Sequence, residues 1–265
     1  MSFFKDKIVW ITGASSGIGE ALTYALAREN AKLIISSRRE NELNRVRQNC
    51  ATDPKNIFVL PLDLANVNSL KNKADEAVKQ FGRIDILINN GGISHRSWSM
   101  DTSLDIDRKI MEINFFSYVA LTKAVLPYMI KQKSGHIVVT SSILGKCGLP
   151  LRSAYASSKH ALHGFFESLR EEVYQDNINV LMLCPGFVRT NVTLNALTAN
   201  GEPFNEMGDG QASGMIPEVC AGHILKAIRK KKLEVYIGGK EILTIYIKRL
   251  SQRLYLKIIR RVKTT

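Results

Sequence analysis

The chain has 265 residues, 45% of them hydrophobic and 23% charged. That length fits one large α/β domain and is short for two full-sized ones, and the composition excludes a disordered or collagen-like chain. Its 37 basic against 24 acidic residues leave a net charge of +13, which points to a polyanionic partner (a nucleic acid or an anionic membrane face) and carries no information about fold.

Residues 7–12 read as a buried strand, followed by a glycine-rich turn and a helical pattern through about Glu29. A second β-branched run covers 31–37, then a charged helix to about Ala51, a third strand at 56–62 and a polar-faced helix at 66–81. A fourth strand is expected at 84–89, a long helix at 104–131, a fifth strand at 136–141, a helix at 154–175, a sixth strand at 179–184 and a last one at 234–237. Strands that are apolar on both sides, alternating with helices, imply a doubly wound parallel sheet of about seven strands with helices on both faces. The expected organisation is one catalytic domain over 1–239 and an extension over 240–265. The irregular stretch 186–217, rich in Gly, Asn and Thr, has the texture of a functional loop.

Cys50, Cys147, Cys184 and Cys220 are widely separated, with no CxxC or Cys/His spacing of a metal site. They read as thiols of a reducing compartment, and no metal is expected. Residues 1–7 lack a signal-peptide apolar stretch, and nowhere do 18 apolar residues run in succession, so the expected address is cytoplasmic. His95, His136, His160, His163 and His223 show no ligand-like pairing beyond His160 and His163 on one helix, and read as ordinary surface or core residues.

Between the first strand and helix lies Thr12-Gly13-Ala14-Ser15-Ser16-Gly17-Ile18-Gly19. Glycines allow the sharp turn and the close backbone approach that a pyrophosphate needs, and the helix starting near Gly17 offers free N–H groups and its positive dipole end. Its place at the first strand–helix junction favours dinucleotide binding over a plain turn. About 20 residues on, where a carboxylate would favour NAD, stands Ser36-Ser37-Arg38-Arg39, with no acid before Glu40. A guanidinium matches a 2′-phosphate, so NADP(H) is expected over NAD(H), with Arg38 the stronger candidate and Arg39 beside it.

Tyr155 and Lys159, four apart, share one helix face, and Ser142 lies thirteen residues earlier at the end of the fifth strand, the edge where open parallel sheets bind ligands. In this order the residues resemble the short-chain dehydrogenase/reductase family, in its compact single-domain branch with a Rossmann fold. The resemblance covers about residues 5–239. It runs through the 12–19 loop, Asp63-Leu64, Asn89-Asn90-Gly91-Gly92, Asn114, Ser142, Tyr155-Ala156-Ser157-Ser158-Lys159 and Pro185-Gly186-Phe187-Val188-Arg189-Thr190. Gly91 stands where the family usually has alanine, and Ser16 where some NADP-preferring members have a basic residue.

The resemblance implies an oxidoreductase that moves a hydride between nicotinamide and a carbonyl or alcohol. Tyr155 would be the acid/base, and Lys159 would lower its pKa and hold the nicotinamide ribose. Ser142 would donate to the substrate oxygen, and Asn114 would complete a water-linked proton relay. Gly13, Ser15, Ser16, Gly17, Ile18 and Gly19 would hold the pyrophosphate, Asp63 and Leu64 the adenine, and Asn90, Gly91 and Gly92 the groove wall. Pro185, Gly186, Val188 and Thr190 would meet the nicotinamide end. Met100, Ile143, Leu144, Leu149, Leu194, Leu197 and Phe204 are candidates for an apolar substrate cleft. An NAD-linked alcohol dehydrogenase and a catalytically silent dinucleotide sensor are the competing readings.

From 224 to 265 there are 13 basic residues and two acids, which holds +11 of the whole +13. Over 241–262 helical periodicity gives an apolar stripe, Leu243, Ile247, Leu250, Leu254 and Ile258, and a basic one, Arg249, Arg253, Lys257 and Arg260. Such a helix suits an anionic membrane surface, or packs its apolar stripe on the protein or a sister subunit; nucleic acid is the weaker option. The 190–239 region together with this tail resembles a membrane-associated subgroup of these reductases that acts on lipid-like carbonyls. The family implies a homodimer or homotetramer built on helices 104–131 and 154–175.

Overall fold

The computed structural model describes residues 2–262. Seven parallel strands form one sheet in the order β3-β2-β1-β4-β5-β6-β7: β1 Ile8–Thr12, β2 Lys32–Ser36, β3 Ile57–Val59, β4 Ile86–Asn89, β5 Gly135–Thr140, β6 Ile178–Pro185 and β7 Glu234–Ile237. Strand β1 pairs on both sides, Val9 with Leu33 of β2 and with Ile86 of β4, so the chain reverses its direction of winding there. The alternation of side chains along β1 divides the core in two. Val9 and Ile11 face helices α1 (Gly17–Arg28), α2 (Glu40–Gln48) and, through Ile224 and Ile228, a helix at 217–229. Ile8 and Trp10 face α3 (Leu70–Phe81), the helical stretch 104–132 and a helix at 153–172. Trp10 is wholly buried, and its indole N–H donates to Ser36 Oγ at 2.9 Å, so no polar atom is stranded by the burial.

Most element boundaries fall within a few residues of those expected. Strand β3 is shorter than 56–62, because beyond Val59 only single bonds, such as Leu62 N to Ser37 O, continue toward β2. The long helix is continuous but not uniform. It comprises α4 (Leu104–Met111), a π-helical turn at Glu112–Phe116 that carries Asn114, and α5 (Ser117–Gln132). By length and hydropathy 104–132 could cross a membrane, yet Tyr118, Leu121, Val125 and Met129 on it are fully buried against the sheet. After β5 come α6 (Ser153–Glu172) and β6, then the irregular stretch with a short helix α7 (Asp209–Ala212), α8 (Pro217–Arg229) and β7.

The 241–262 segment departs from the single helix expected. It breaks at Ser251 into α9 (Leu243–Leu250) and α10 (Gln252–Ile259), because Ser251 adopts an extended backbone and its Oγ accepts from Leu254 N. The face turned to the protein also differs: Ile245 and Tyr255 are buried, whereas Leu243, Leu250 and Leu254 of the expected apolar stripe are exposed. Lys263, counted among the basic residues of the tail, lies outside the described residues.

Candidate functional site

The loops after β1 and β4 part where the winding reverses, and a cavity of about 550 Å³ opens beyond the carboxyl ends of the strands. Gly13 stands at its floor with φ +67°, and a Cβ there would lie 2.6 Å from Gly91 Cα, so the two loop backbones touch. Thr12 Oγ1 accepts from the N–H groups of Asn90 and Gly91 at 3.0 and 3.1 Å, and Asn90 Nδ2 returns a bond to Thr12 O at 3.2 Å. This pinch holds the geometry of the glycine-rich loop, a part for the Thr12 side chain that its local sequence does not signal.

The cavity is lined by Gly13, Ser15, Ser16, Gly17, Ile18, Arg38, Arg39, Asp63, Leu64, Asn90, Gly91, Gly92, Ser142, Tyr155, Lys159, Pro185, Gly186, Val188 and Thr190. Two expected residues stand behind it. Gly19 packs on the Gly13 carbonyl, and Asn114 is fully buried. The Asn114 side chain is engaged by Ile93 N at 2.9 Å, Ile93 O at 2.9 Å and Ser158 Oγ at 3.1 Å. Gly92 separates it from Lys159: a Cβ at Gly92 would stand 2.9 Å from Asn114 Oδ1 and 3.9 Å from Lys159 Nζ. Asp63 accepts the Ala65 amide at 3.0 Å, a local turn rather than a helix cap.

Arg39, rather than Arg38, reaches the glycine-rich loop; its Nη2 donates to Ser15 Oγ at 3.1 Å and Ser16 Oγ at 3.2 Å. Among the described residues, no carboxylate from the end of β2 lines the cavity. Of the seven apolar candidates, Leu197 alone lines it, and Met100 is 91% exposed. Ile93, Ile113, Val192 and Pro203 supply apolar wall instead, with Lys109, Asn191, Asn195 and Gln211 as polar wall. Lys109 and Ile113 come from the 104–116 helical stretch and Gln211 from α7, and the others from loops; their approach to the cavity has no local sequence signal.

Ser142 is buried, and its hydroxyl accepts from Leu144 N at 3.1 Å and lies 3.4 Å from Pro185 O, on the same cavity wall as Tyr155. Lys159 is buried, donates from Nζ to Thr140 O at 2.8 Å and lies 5.7 Å from the centre of the Tyr155 ring. The electrostatics differ from the expected division of labour. Burial pushes the Tyr155 phenol above its ordinary value, and the groups that pull it back are the Ser142 hydroxyl and the charge of Arg152. Burial takes Lys159 down to about 7. Arg152, one turn before Tyr155, is held by Nη1 bonds to Ser94 Oγ at 2.9 Å and His95 O at 2.7 Å. It has no carboxylate in ion-pair contact among the described residues, and burial together with Arg96 brings it to about 10.

Behind Ser142, ligand-type atoms of His163, Cys184 and Glu234 lie within 4.8 Å of one another. The positive charge in that cluster comes from Lys146, whose Nζ is 2.8 Å from Glu234 Oε2. The tail closes on the site from outside. Glu241 Oε1 accepts from Phe187 N at 3.0 Å and packs on Gly186, Lys248 Nζ donates to Lys146 O at 2.7 Å, and the Tyr255 hydroxyl donates to Gly148 O.

A doubly wound sheet with a glycine pinch at its switch point, and a serine, tyrosine and lysine along the same cavity, defines a nucleotide-dependent oxidoreductase scaffold. The family model described as short chain dehydrogenase matches residues 7–200. The chain is 42% identical over 258 residues to the Dehydrogenase/reductase SDR family protein 7-like of Drosophila melanogaster, covering 96% of this chain and 79% of that one. It is 44% identical over 247 residues to the human Dehydrogenase/reductase SDR family member 7, covering 91% and 72%. Among solved structures it superposes on a short-chain dehydrogenase from Streptomyces avermitilis with a TM-score of 0.82, 27% identity and 96% coverage of both chains. A Burkholderia phymatum member in complex with NAD superposes at TM-score 0.83, 22% identity and the same coverage. The chain belongs to the short-chain dehydrogenase/reductase family. It is an oxidoreductase whose fold binds a nicotinamide dinucleotide.

Proposed function

We propose that the protein is an NADP(H)-dependent reductase that interconverts a hydrophobic, lipid-like carbonyl compound and its alcohol. The observation that carries this is that Ser142, Tyr155 and the buried Lys159 line the same cavity as the glycine-rich loop 12–19. The residues fit a dinucleotide, because the cradle at Gly13 admits no side chain and both arginines after β2 face the cavity. When bound, the cofactor supplies the hydride.

Tyr155 gives its proton to the substrate oxygen, and a phenol held above its ordinary pKa remains a proton donor across the neutral range, which suits reduction. Ser142 donates to the same oxygen as charge develops on it. Lys159 holds ribose hydroxyls and returns the proton to Tyr155, with Asn114 behind Gly92 ordering the relay. Gly13, Ser15, Ser16, Gly17 and Ile18 bind pyrophosphate, while Arg38 and Arg39 take the 2′-phosphate. Asp63 and Leu64 take the adenine side, and Pro185, Gly186, Val188 and Thr190 the nicotinamide end. Ile93, Ile113, Val192, Leu197 and Pro203 make an apolar wall for the substrate. We further propose a cytoplasmic homodimer or homotetramer, held peripherally at an anionic membrane through 240–265.

The test is a screen of carbonyl compounds followed by NADPH absorbance, then kcat/KM with NADPH and NADH. The wild type is expected to favour NADPH, and Arg39→Ala or Arg38→Ala to lose about 10- to 100-fold of that preference, the worth of charge-assisted bonds. Equal use of both cofactors would replace this with the NAD-linked reading. Tight cofactor binding without turnover of any carbonyl would replace it with the sensor.

A further inference from the structure

His163 sits on α6, one turn beyond Lys159, and is buried. Nothing in the proposed mechanism uses it, yet polar groups surround it on every side. Its Nε2 is 3.0 Å from Ser141 Oγ and 3.8 Å from Cys184 Sγ on β6. Its Nδ1 is 3.2 Å from Glu167 Oε1 on α6 and 3.6 Å from Glu234 Oε2 on β7. Lys146, from the turn after β5, bridges the two carboxylates, 2.8 Å from Glu234 and 3.4 Å from Glu167. Ser141 Oγ has a second neighbour, the backbone carbonyl of Lys159 at 3.2 Å. The turn after Ser142 closes tightly over the group, since a Cβ on Gly145 would lie 2.4 Å from Ser141 Oγ and 2.9 Å from His163 Nε2.

Proton counting gives this cluster two states. Ser141 has one hydroxyl proton and two acceptors within reach. With His163 charged, Nε2–H donates to Ser141 Oγ, Ser141 donates to the Lys159 carbonyl, and Nδ1–H donates to Glu167. With His163 neutral, Nδ1 must keep its proton, because a bare lone pair there would face two carboxylates. Nε2 then needs a donor, and the Ser141 hydroxyl turns away from Lys159 to supply it. Cys184 stays a protonated thiol, because burial raises it, but its S–H at 3.8 Å is a weak donor to Nε2 beside the Ser141 hydroxyl at 3.0 Å.

We propose that His163 is a positioning residue for the catalytic groups: its protonation decides whether Ser141 ties the strand end carrying Ser142 to the helix turn carrying Lys159. Burial, and then the charge of Lys146, hold His163 below the ordinary histidine value against the two carboxylates. The tie is therefore open at neutral pH and closes as the solution is acidified through that lowered pKa. Lys159 is the residue assigned to the ribose, so cofactor affinity reports the tie, and to that extent the inference rests on the proposed nucleotide site.

The experiment measures NADPH affinity by nicotinamide fluorescence from about pH 5 to about pH 8.5 in wild type, His163→Gln, Ser141→Ala and the double variant. In His163→Gln the side-chain amide nitrogen occupies the place of Nε2 and donates at every pH, so it mimics the closed state without titrating. At the neutral and alkaline end His163→Gln should bind about fivefold more tightly than wild type, the size of one neutral hydrogen bond, and the ratio should fall to one on acidification. Comparison at each pH cancels the titration of the cofactor's own phosphate. In the Ser141→Ala background the Gln substitution should have no effect at any pH. A ratio that does not vary with pH, or one that survives in Ser141→Ala, overturns the inference. Imidazole nitrogen NMR shifts of His163, taken without cofactor, give a second readout. They must titrate, and the midpoint must move in Ser141→Ala; a His163 that fails either condition overturns the inference whatever NADPH does. Failure of wild type to bind NADPH, with this titration intact, would count against the nucleotide site instead.

Discussion

Tyr155 depends on three neighbours of different kinds: a hydroxyl at Ser142, a buried amine at Lys159 and a guanidinium at Arg152. Removing its proton with Tyr155→Phe should lower kcat by about 10²- to 10⁴-fold, the usual worth of a positioned acid/base, with NADPH affinity little changed. The Arg152 charge stabilises the phenolate, so its loss raises the phenol's pKa further. In the alcohol-oxidation direction, which needs the phenolate, the pH of half-maximal rate in Arg152→Gln should move up by about one unit. An unshifted profile would remove Arg152 from the acid/base system. Tyr155, Lys159 and Ser142 could be read from the sequence because helical spacing and a strand end are local features. Arg152 could not. Its position one turn before Tyr155 is visible, but the bonds to Ser94 and His95 that fix it arise only when the segment after β4 folds over α6. The same holds for His163, whose partners come from β6, β7 and the turn after β5.

At the level of elements, the alternation of strands and helices was legible because both faces of every inner strand are covered, leaving continuous apolar runs. Periodicity was blind to two interruptions. The π-helical turn at Glu112–Phe116 keeps the apolar spacing of its flanks while it turns Asn114 toward Ile93 and Ser158. The break at Ser251 leaves the side-chain pattern of the tail unchanged but redirects α10, so that Tyr255 reaches Gly148. The tail therefore grips both loops that flank Tyr155: the one after Ser142, through Lys248 and Tyr255, and the one after β6, through Glu241. Glu241→Ala leaves the Phe187 amide without its acceptor, beside residues assigned to the nicotinamide end. KM for NADPH should rise about fivefold while the melting temperature changes little. An unchanged KM would reduce Glu241 to a surface role.

Over the whole molecule, charge and apolar exposure converge on one end. The last 42 residues carry +11 of the +13, and the outward side of α9 and α10 leaves Leu243, Tyr246, Leu250 and Leu254 exposed, Leu250 by 88%. Arg249, Arg253, Lys257, Arg260 and Arg261 are also exposed on the same tail. A sister subunit could cover an apolar ridge but would gain nothing from so many cations, whereas anionic lipid uses both, at about 1 kcal/mol for each basic residue near the surface. The inward face cannot be removed without loosening the loops that flank Tyr155, so the substitutions belong on the outward face. The protein should sediment with vesicles containing phosphatidylserine and not with neutral ones. Leu250→Asp combined with Leu254→Asp should abolish that binding, and salt well above physiological strength should weaken it, since screening acts within about 10 Å. If the double variant still sediments, the apolar ridge is not what enters the lipid; if the wild type does not sediment and the same substitutions split a dimer on a sizing column, the ridge is a subunit contact and the basic stripe faces water.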